Sequence, residues 1–254
     1  MCGRLIAGDM TQAQMLAIIE GFLYPGQSVI TETDAPPAAT GFNVKPTQQV
    51  NILFPQGAGI TASTARWWLV PPWFKGEAEE WKATTFNAKI ETAFEKPTFR
   101  DAWKHGRCLV PAMGYYEWSG PKANRIPNFV HLETNHPIHL FAGLHSQMPD
   151  GRRTCTLLTR PALPEITDLH PRMPVLLSPD EAQGWLDHSA PDDEIRDGFG
   201  THWEGRFRVQ PVAKFGMKDN GPQLIEPLEE DEGATTTTTP PKDQGGQADL
   251  FDLN

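Results

Sequence analysis

Arg107-Cys108-Leu109-Val110-Pro111-Ala112-Met113-Gly114-Tyr115-Tyr116-Glu117-Trp118 reads as two strand pieces joined at Pro111. Outward from it, strand-like runs recur at residues 50–54, before Arg66-Trp67-Trp68, and at 129–132, 138–144, 154–159 and 207–212. Helical signals are fewer. Thr11 can cap a helix to about residue 22, because Met15, Ile18, Ile19 and Phe22 recur at helical spacing. Residues 99–103 look helical, and Ser178-Pro179-Asp180-Glu181 combines a capping box with a first-turn proline, predicting a helix to about residue 188. Many short strands with scattered helices, and no regular alternation between them, predict an α+β fold. Its core is expected to be a mostly antiparallel β-sheet, barrel-like, with peripheral helices.

Composition narrows the classes. The 254 residues, 39% hydrophobic with eight Trp, can build a sizeable core. No apolar run reaches membrane-spanning length and no basic-then-apolar leader is present, so a cytoplasmic protein without a membrane partner is expected. Cys2, Cys108 and Cys155 lack CxxC spacing, which indicates neither a disulfide framework nor a zinc site. Cys108 and Cys155 sit in apolar runs and read as buried, inert thiols. The net charge of −10 argues against generic nucleic-acid binding, but it is uneven. From Glu226 onward eight acidic residues face one lysine, a balance of −7 that leaves −3 for the rest. Between Arg66 and Arg107 eight basic residues face six acidic ones, and a local basic groove can hold phosphates on an acidic protein. From about residue 228 the chain turns to acids, five consecutive Thr and Pro-Pro, the composition of a disordered linker. The expected organisation is a domain over residues 2–228 and a tail over 229–254.

Several residues can carry chemistry. In Met1-Cys2-Gly3-Arg4, removal of Met1 would leave a free amine and a thiol on one residue, with reference pKa values of about 8 and about 8.5. Such a 1,2-aminothiol can act as an N-terminal nucleophile or capture an aldehyde as an imine that the thiol closes into a thiazolidine. Read alone, position 2 is more readily an accident of sequence. Glu117, between Tyr116 and Trp118, is either a desolvated carboxylate with a raised pKa, suited to acid–base work, or a residue on the wet face of its strand. His170, in a proline-flanked turn, can shuttle protons or be an ordinary loop histidine. Asn87 can hydrogen-bond at a polar site or simply form a turn. The rings of Trp67, Trp68, Trp73 and Phe74, beside Pro71-Pro72 and Lys75, suit core packing and a base-stacking platform equally. His131, His136 and His139 cluster across a hairpin, but no Cys or carboxylate pattern accompanies them, and no metal or cofactor is expected.

Taken in order, these residues resemble the SRAP (SOS-response-associated peptidase) family, whose members crosslink to abasic sites in single-stranded DNA. The matches begin with Met1-Cys2-Gly3-Arg4, Asn43 and Pro46, the 67–73 stretch, Asn87-Ala88 with Glu91-Thr92, and Arg107-Cys108. They continue through Gly114-x-Tyr116-Glu117-Trp118, residues 141–144, His170-x-Arg172-Met173-Pro174 and Pro211-Val212, covering residues 2 to about 228. The resemblance implies that Cys2 is the nucleophile, its amine attacking the ring-opened sugar aldehyde and its thiol closing a thiazolidine. Asn87 would hold the Cys2 end, Glu117 would be the acid/base, and His170 would protonate the sugar oxygen. Arg4, Asn43, Trp67, Trp73, Phe74, Lys89 and Arg172 would contact DNA. Three departures stand out. Lys89 replaces a usual Arg, exchanging a bidentate grip for a point charge. Met113 replaces a usual Asp, and Met217-Lys218 a Val-Asn pair.

The tail ends in Gln247-Ala248-Asp249-Leu250-Phe251, which resembles the Q-x-x-L-F peptide that docks bacterial replication proteins on the sliding clamp. Gln247, Leu250 and Phe251 are thus candidate partner-binding residues on a flexible tether, near the replication fork in the nucleoid. The chain is otherwise expected to be a monomer that meets single-stranded DNA. Competing readings are a Cys2-dependent thiol peptidase, a class II glutamine amidotransferase, and a non-enzymatic DNA-binding adaptor of the clamp. An amidotransferase needs Arg-Gly-Pro-Asp-like and Asn-Gly-Glu-like segments, and neither is present.

Overall fold

Residues 107–118 carry the chain from one β-sheet into a second, and the computed structural model is organised about that crossing. It describes residues 2–23, 29–31, 37–57, 59–188, 191–200 and 206–228; the tail expected over 229–254 lies outside them. The first half comprises β1 (Leu5–Ile6), α1 (Gln12–Leu23), β2 (Val29–Thr31), β3 (Gln49–Gln56), β4 (Gly59–Trp67), β5 (Asn87–Lys89), α2 (Arg100–His105) and β6 (Arg107–Ala112). Next come β7 (Gly114–Ser119), β8 (Ile126–Leu132), β9 (His139–Gln147), β10 (Arg153–Pro161), α3 (Pro164–Thr167) and β11 (Arg172–Pro174). The rest is β12 (Leu176–Leu177), α4 (Pro179–Leu186), α5 (Asp192–Gly198) and β13 (Phe207–Pro211).

The smaller sheet runs β1-β7-β8-β13 and the larger β11-β10-β4-β3-β6-β9-β12, with β2 on β4 and β5 on β10. Most pairs are antiparallel; β2 with β4, β4 with β10 and β5 with β10 are parallel. The larger sheet curls until β9 meets β10, but β10 and β4 share only two registered pairs, Thr154 with Arg66 and Cys155 with Trp67. The core is therefore a strongly curled sheet rather than a closed barrel.

Both faces of the larger sheet are buried, and alternation along its strands sorts the side chains. Val50, Ile52 and Phe54 of β3, with Cys108 and Val110 of β6, face the inner cluster that also holds Trp67, Phe141 and Cys155. Leu53 and Leu109 face the opposite way, beneath Met15, Ile19, Trp103 and Trp185 of the helices. Trp103 and Trp185 meet edge to face at 5.5 Å, and the Trp185 indole N–H donates to the Cys108 carbonyl at 2.8 Å, tying α4 to β6. The capping box is formed as expected: the Ser178 hydroxyl accepts from the Glu181 N–H at 3.3 Å, and the Ser178 N–H donates to the Glu181 carboxylate at 2.9 Å.

The junction of the two central strands differs from expectation. Pro111 lies inside β6, registered with Leu140 of β9, and the break falls at Met113. A proline removes one ladder donor without ending an extended strand, whereas the crossing between sheets needs a residue without a side chain. Gly114 has φ +157°, and a Cβ there would come within 2.5 Å of the Val130 carbonyl oxygen on β8. Among the described residues no helix is long and apolar enough to cross a membrane.

Candidate active site

The site forms where the two sheets meet. From the smaller sheet, β1 pairs with β7, Leu5 opposite Tyr115, and the Arg4 carbonyl accepts from the Tyr116 N–H at 3.0 Å. This brings the Cys2 end alongside Glu117. The Cys2 side chain is fully buried, its thiol 3.7 Å from the Arg4 carbonyl. From the larger sheet, β5 runs parallel to β10 with Asn87 opposite Leu157, and the Asn87 side-chain amide donates to the Cys2 carbonyl at 2.7 Å. Residues 2 and 87 are thus brought together by side chain and backbone.

Above them opens a cleft of about 510 Å³ lined by Gly3, Arg4, Glu117, Trp118, Arg125, Asp168 and His170. Glu117 is 8% exposed. His170 follows α3, and its Nδ1 accepts the Arg172 backbone N–H at 3.0 Å. The same Nδ1 lies 3.0 Å from the Arg172 carbonyl oxygen, so both backbone groups of Arg172 hold the ring in place. Burial pushes the Cys2 thiol well above its ordinary pKa, and the Glu117 carboxylate pushes it further. The thiol is therefore protonated in this state. Tyr115, fully buried, has its phenol raised by burial and then by Cys2 and Glu117, so it belongs to the same electrostatic group.

The candidate DNA-contacting residues divide. Arg4 borders the cleft, its guanidinium 5.8 Å from the Trp118 ring and in contact with the Met217 sulfur, and burial lowers its pKa. Lys89 is exposed at the end of β5. Trp67 is no stacking platform: it is fully buried, with its indole N–H donating to the Phe86 carbonyl at 2.8 Å. The partly exposed ring is its neighbour Trp68, tilted against Phe86 at 5.5 Å. Asn43 is also buried, and its amide holds the Gly216 and Asp219 carbonyls at 3.1 and 2.9 Å, so it anchors a loop instead of facing solvent. Trp73, 51% exposed, and Phe74 pack on Trp81 in a separate small cluster and do not line the cleft. The Arg172 guanidinium is committed to Glu91, at 2.6 and 2.9 Å, and to the Thr159 carbonyl. Gln247, Leu250 and Phe251 lie outside the described residues.

Sequence reasoning passed over Arg125 and Asp168 at the cleft and the Glu91–Arg172 pair. Arg125 and Asp168 carry no local pattern, whereas Glu91 and Arg172 were both inside quoted motifs without an assigned partnership. Of the histidine group, His131 stacks on Phe129 at 4.4 Å, and among the described residues no three His, Cys, Asp or Glu side chains gather as a metal site.

Comparison with known proteins agrees with this architecture. The chain is 32% identical over 195 residues to abasic site processing protein YoqW of Bacillus subtilis (strain 168), spanning 73% of this chain and 85% of that one. It is 26% identical over 235 residues to abasic site processing protein YedK of Escherichia coli (strain K12), spanning 90% and 100%. A solved protein of Bacteroides thetaiotaomicron shares the fold, with a TM-score of 0.72 at 23% identity over 89% of this chain and 100% of that one. A phage-related protein of Bordetella bronchiseptica superposes with a TM-score of 0.61 at 26% identity, covering 84% and 95%. The SOS response associated peptidase model matches residues 1–215, and the chain belongs to that family, SRAP.

Proposed function

We propose that this protein processes abasic sites in single-stranded DNA by capturing them covalently at Cys2. The observation that carries the reading is the Asn87 hydrogen bond to the Cys2 carbonyl, which fixes residue 2 immediately before Gly3 and Arg4, two residues of the cleft that Glu117 and His170 also line. With Met1 attached, the Cys2 nitrogen is an amide and cannot attack; its removal creates the amine. That amine adds to the aldehyde of the ring-opened sugar, giving a carbinolamine that loses water to become an imine. The thiol then adds across the C=N bond, its proton passing to nitrogen, and a thiazolidine results. Glu117 takes the proton from the attacking amine and returns one to the departing hydroxyl, as a carboxylate close to both can. His170 donates to the sugar ring oxygen as the ring opens. Arg4, exposed Lys89 and half-buried Trp68 supply phosphate and base contacts.

The test is a denaturing gel of Met1-processed protein incubated with single-stranded DNA containing an abasic site. A heat-stable shifted band that disappears in Cys2→Ala supports the reading. DNA binding without such a band would favour a non-covalent adaptor, and Cys2-dependent cleavage of peptides without a band would favour a thiol peptidase. The terminal Gln247–Phe251 peptide is proposed to tether this activity to the sliding clamp, on the strength of its two apolar anchors at the end of a polar segment. Deletion of residues 246–254 should abolish clamp pull-down while leaving the covalent band intact; equal clamp binding by both forms would remove the tether.

A further inference from the structure

The hydroxyl of Tyr115 has no task in the resting fold. The residue is buried, and its Oη finds no hydrogen-bond partner among the described residues. A hydroxyl taken out of water without a partner is destabilising, so packing alone would be served better by a bare ring. The ring meets Phe141 edge to face at 6.3 Å, a contact that a phenylalanine would keep.

What surrounds the phenol is the reacting group. Alternation along β7 sends Tyr116 into the cluster of Ile6 and Phe42 and turns Tyr115 the other way, into the inner cluster that holds Cys2. Glu117, two residues on, leaves the strand on the same side as Tyr115. The Arg4 carbonyl brings the thiol to this strand: it accepts from the Tyr116 N–H at 3.0 Å and lies 3.7 Å from the Cys2 sulfur. Burial, then Cys2 and Glu117, raise the phenol well above its ordinary pKa, so it keeps its proton and stays a donor.

We propose that Tyr115 is a positioning residue that acts through Cys2, its hydroxyl taking up the sulfur as it leaves the Arg4 carbonyl for the imine carbon; this rests on the abasic-site reading. Ring closure forms the C–S bond, moves the C=N π pair onto nitrogen, and passes the thiol proton to that nitrogen. While the proton is in transit the sulfur carries negative charge, and a buried O–H donor directed at it makes a charge-assisted bond. Tyr115 keeps its own proton throughout, and the attack of the amine on the aldehyde does not involve it.

The experiment compares Met1-processed wild type with Tyr115→Phe, which keeps the ring and removes the oxygen. Each is mixed with single-stranded DNA containing an abasic site and quenched over time, with and without borohydride. Borohydride reduces the imine to a stable amine, so the band that needs it follows the amine step, and the heat-stable band formed without it follows ring closure. In Tyr115→Phe the unreduced band should appear at least about tenfold more slowly, as expected for loss of one charge-assisted hydrogen bond. The borohydride-trapped total should rise within about twofold of the wild-type rate, as should affinity for DNA carrying tetrahydrofuran, an abasic analogue without an aldehyde, because phosphate contacts are untouched. Ring closure at the wild-type rate would overturn the inference, and so would equal slowing of both bands, the result of a general distortion of the site. Removing an unpartnered hydroxyl should leave the thermal midpoint unchanged or higher. A fall of more than about 4 °C, or failure to fold, would mean that the resting fold uses the hydroxyl and would overturn the inference.

A readout independent of DNA is alkylation of the Cys2 thiol by iodoacetamide at fixed pH, followed at the Cys2 peptide by mass spectrometry. Losing the donor leaves less thiolate, which outweighs the gain in nucleophilicity, so the rate should fall about threefold in Tyr115→Phe. An unchanged rate overturns the inference. Wild type that gives neither band would count against the abasic-site reading, with alkylation still deciding whether Tyr115 serves the thiol.

Discussion

The two sides, or walls, of the candidate site are held by different forces. On the smaller-sheet side, Glu117 sits on β7 and Arg4 immediately before β1, the two backbones hydrogen-bond to each other, and the register of β1 on β7 sets their separation. On the larger-sheet side, Asn87 and His170 lie at an element end and in a turn, and side chains do the holding: Asn87 to the Cys2 carbonyl, Glu91 to Arg172. A ladder involves every residue along it, so one side-chain substitution rarely shifts it. A side-chain clamp is undone by a single change. The smaller-sheet wall should therefore yield variants that lose chemistry or lose the fold, and the other wall variants that keep the fold and lose precision.

The largest effect should come from the smaller-sheet wall. Glu117→Gln removes the proton-transfer group without disturbing the strand and should slow covalent capture by about 10²–10⁴-fold. Gel kinetics at saturating DNA measure it, and tetrahydrofuran-DNA binding should persist. The wall itself breaks at Gly114→Ala, where the new methyl meets the Val130 carbonyl oxygen at 2.5 Å from a backbone conformation that L residues rarely adopt. Destabilisation of about 3 kcal/mol is expected, seen as a fall of roughly 5–10 °C in thermal midpoint.

The seam between the sheets carries a pH dependence. His139 of β9 accepts the Leu132 N–H of β8 through Nε2 at 3.3 Å, and burial, followed by the nearby His131 and His136, lowers its pKa to about 4. Between about 4 and about 6.5 the unfolded chain binds a proton that the folded chain refuses, so stability rises with pH across that window and is lost on acidification. Urea titrations from pH 7 to 4 should show a loss of about 3 kcal/mol at most, and His139→Gln should flatten the profile. The smallest effect belongs to the larger-sheet wall. Asn87→Ala forfeits one hydrogen bond of about 1 kcal/mol, lowering the thermal midpoint by only about 2–4 °C while slowing capture about tenfold through misplacement of residue 2. A larger fall in midpoint than in rate would mean that this wall, too, is held by its ladder.

The aromatic stretch shows where sequence reading stops. Trp67 and Trp73 have similar chemistry and lie six residues apart, yet one is fully buried and the other half exposed. Alternation along β4 turns Trp67 inward, while Trp73 lies beyond Pro71-Pro72, where no strand dictates a direction. Asn43 was readable as a polar residue in a turn, but its partners are carbonyls more than 170 positions away. Arg172 was readable as a cation in a proline-flanked turn with His170, and its pairing with Glu91 depended on how three strands align.

Local chemistry settled much of this protein from sequence alone. Ser178 and Glu181 lie three residues apart and cap the helix between themselves, and the apolar alternation of β3 selects its two faces wherever that strand is placed. The ordered motifs likewise mark the family from residue order alone. Tertiary structure decided which residues share a site. Asn87 meets residue 2 across 85 positions and Arg172 meets Glu91 across 81. Such contacts depend on which strands pair and in what register, a choice made by burial of the whole core. No local propensity encodes it.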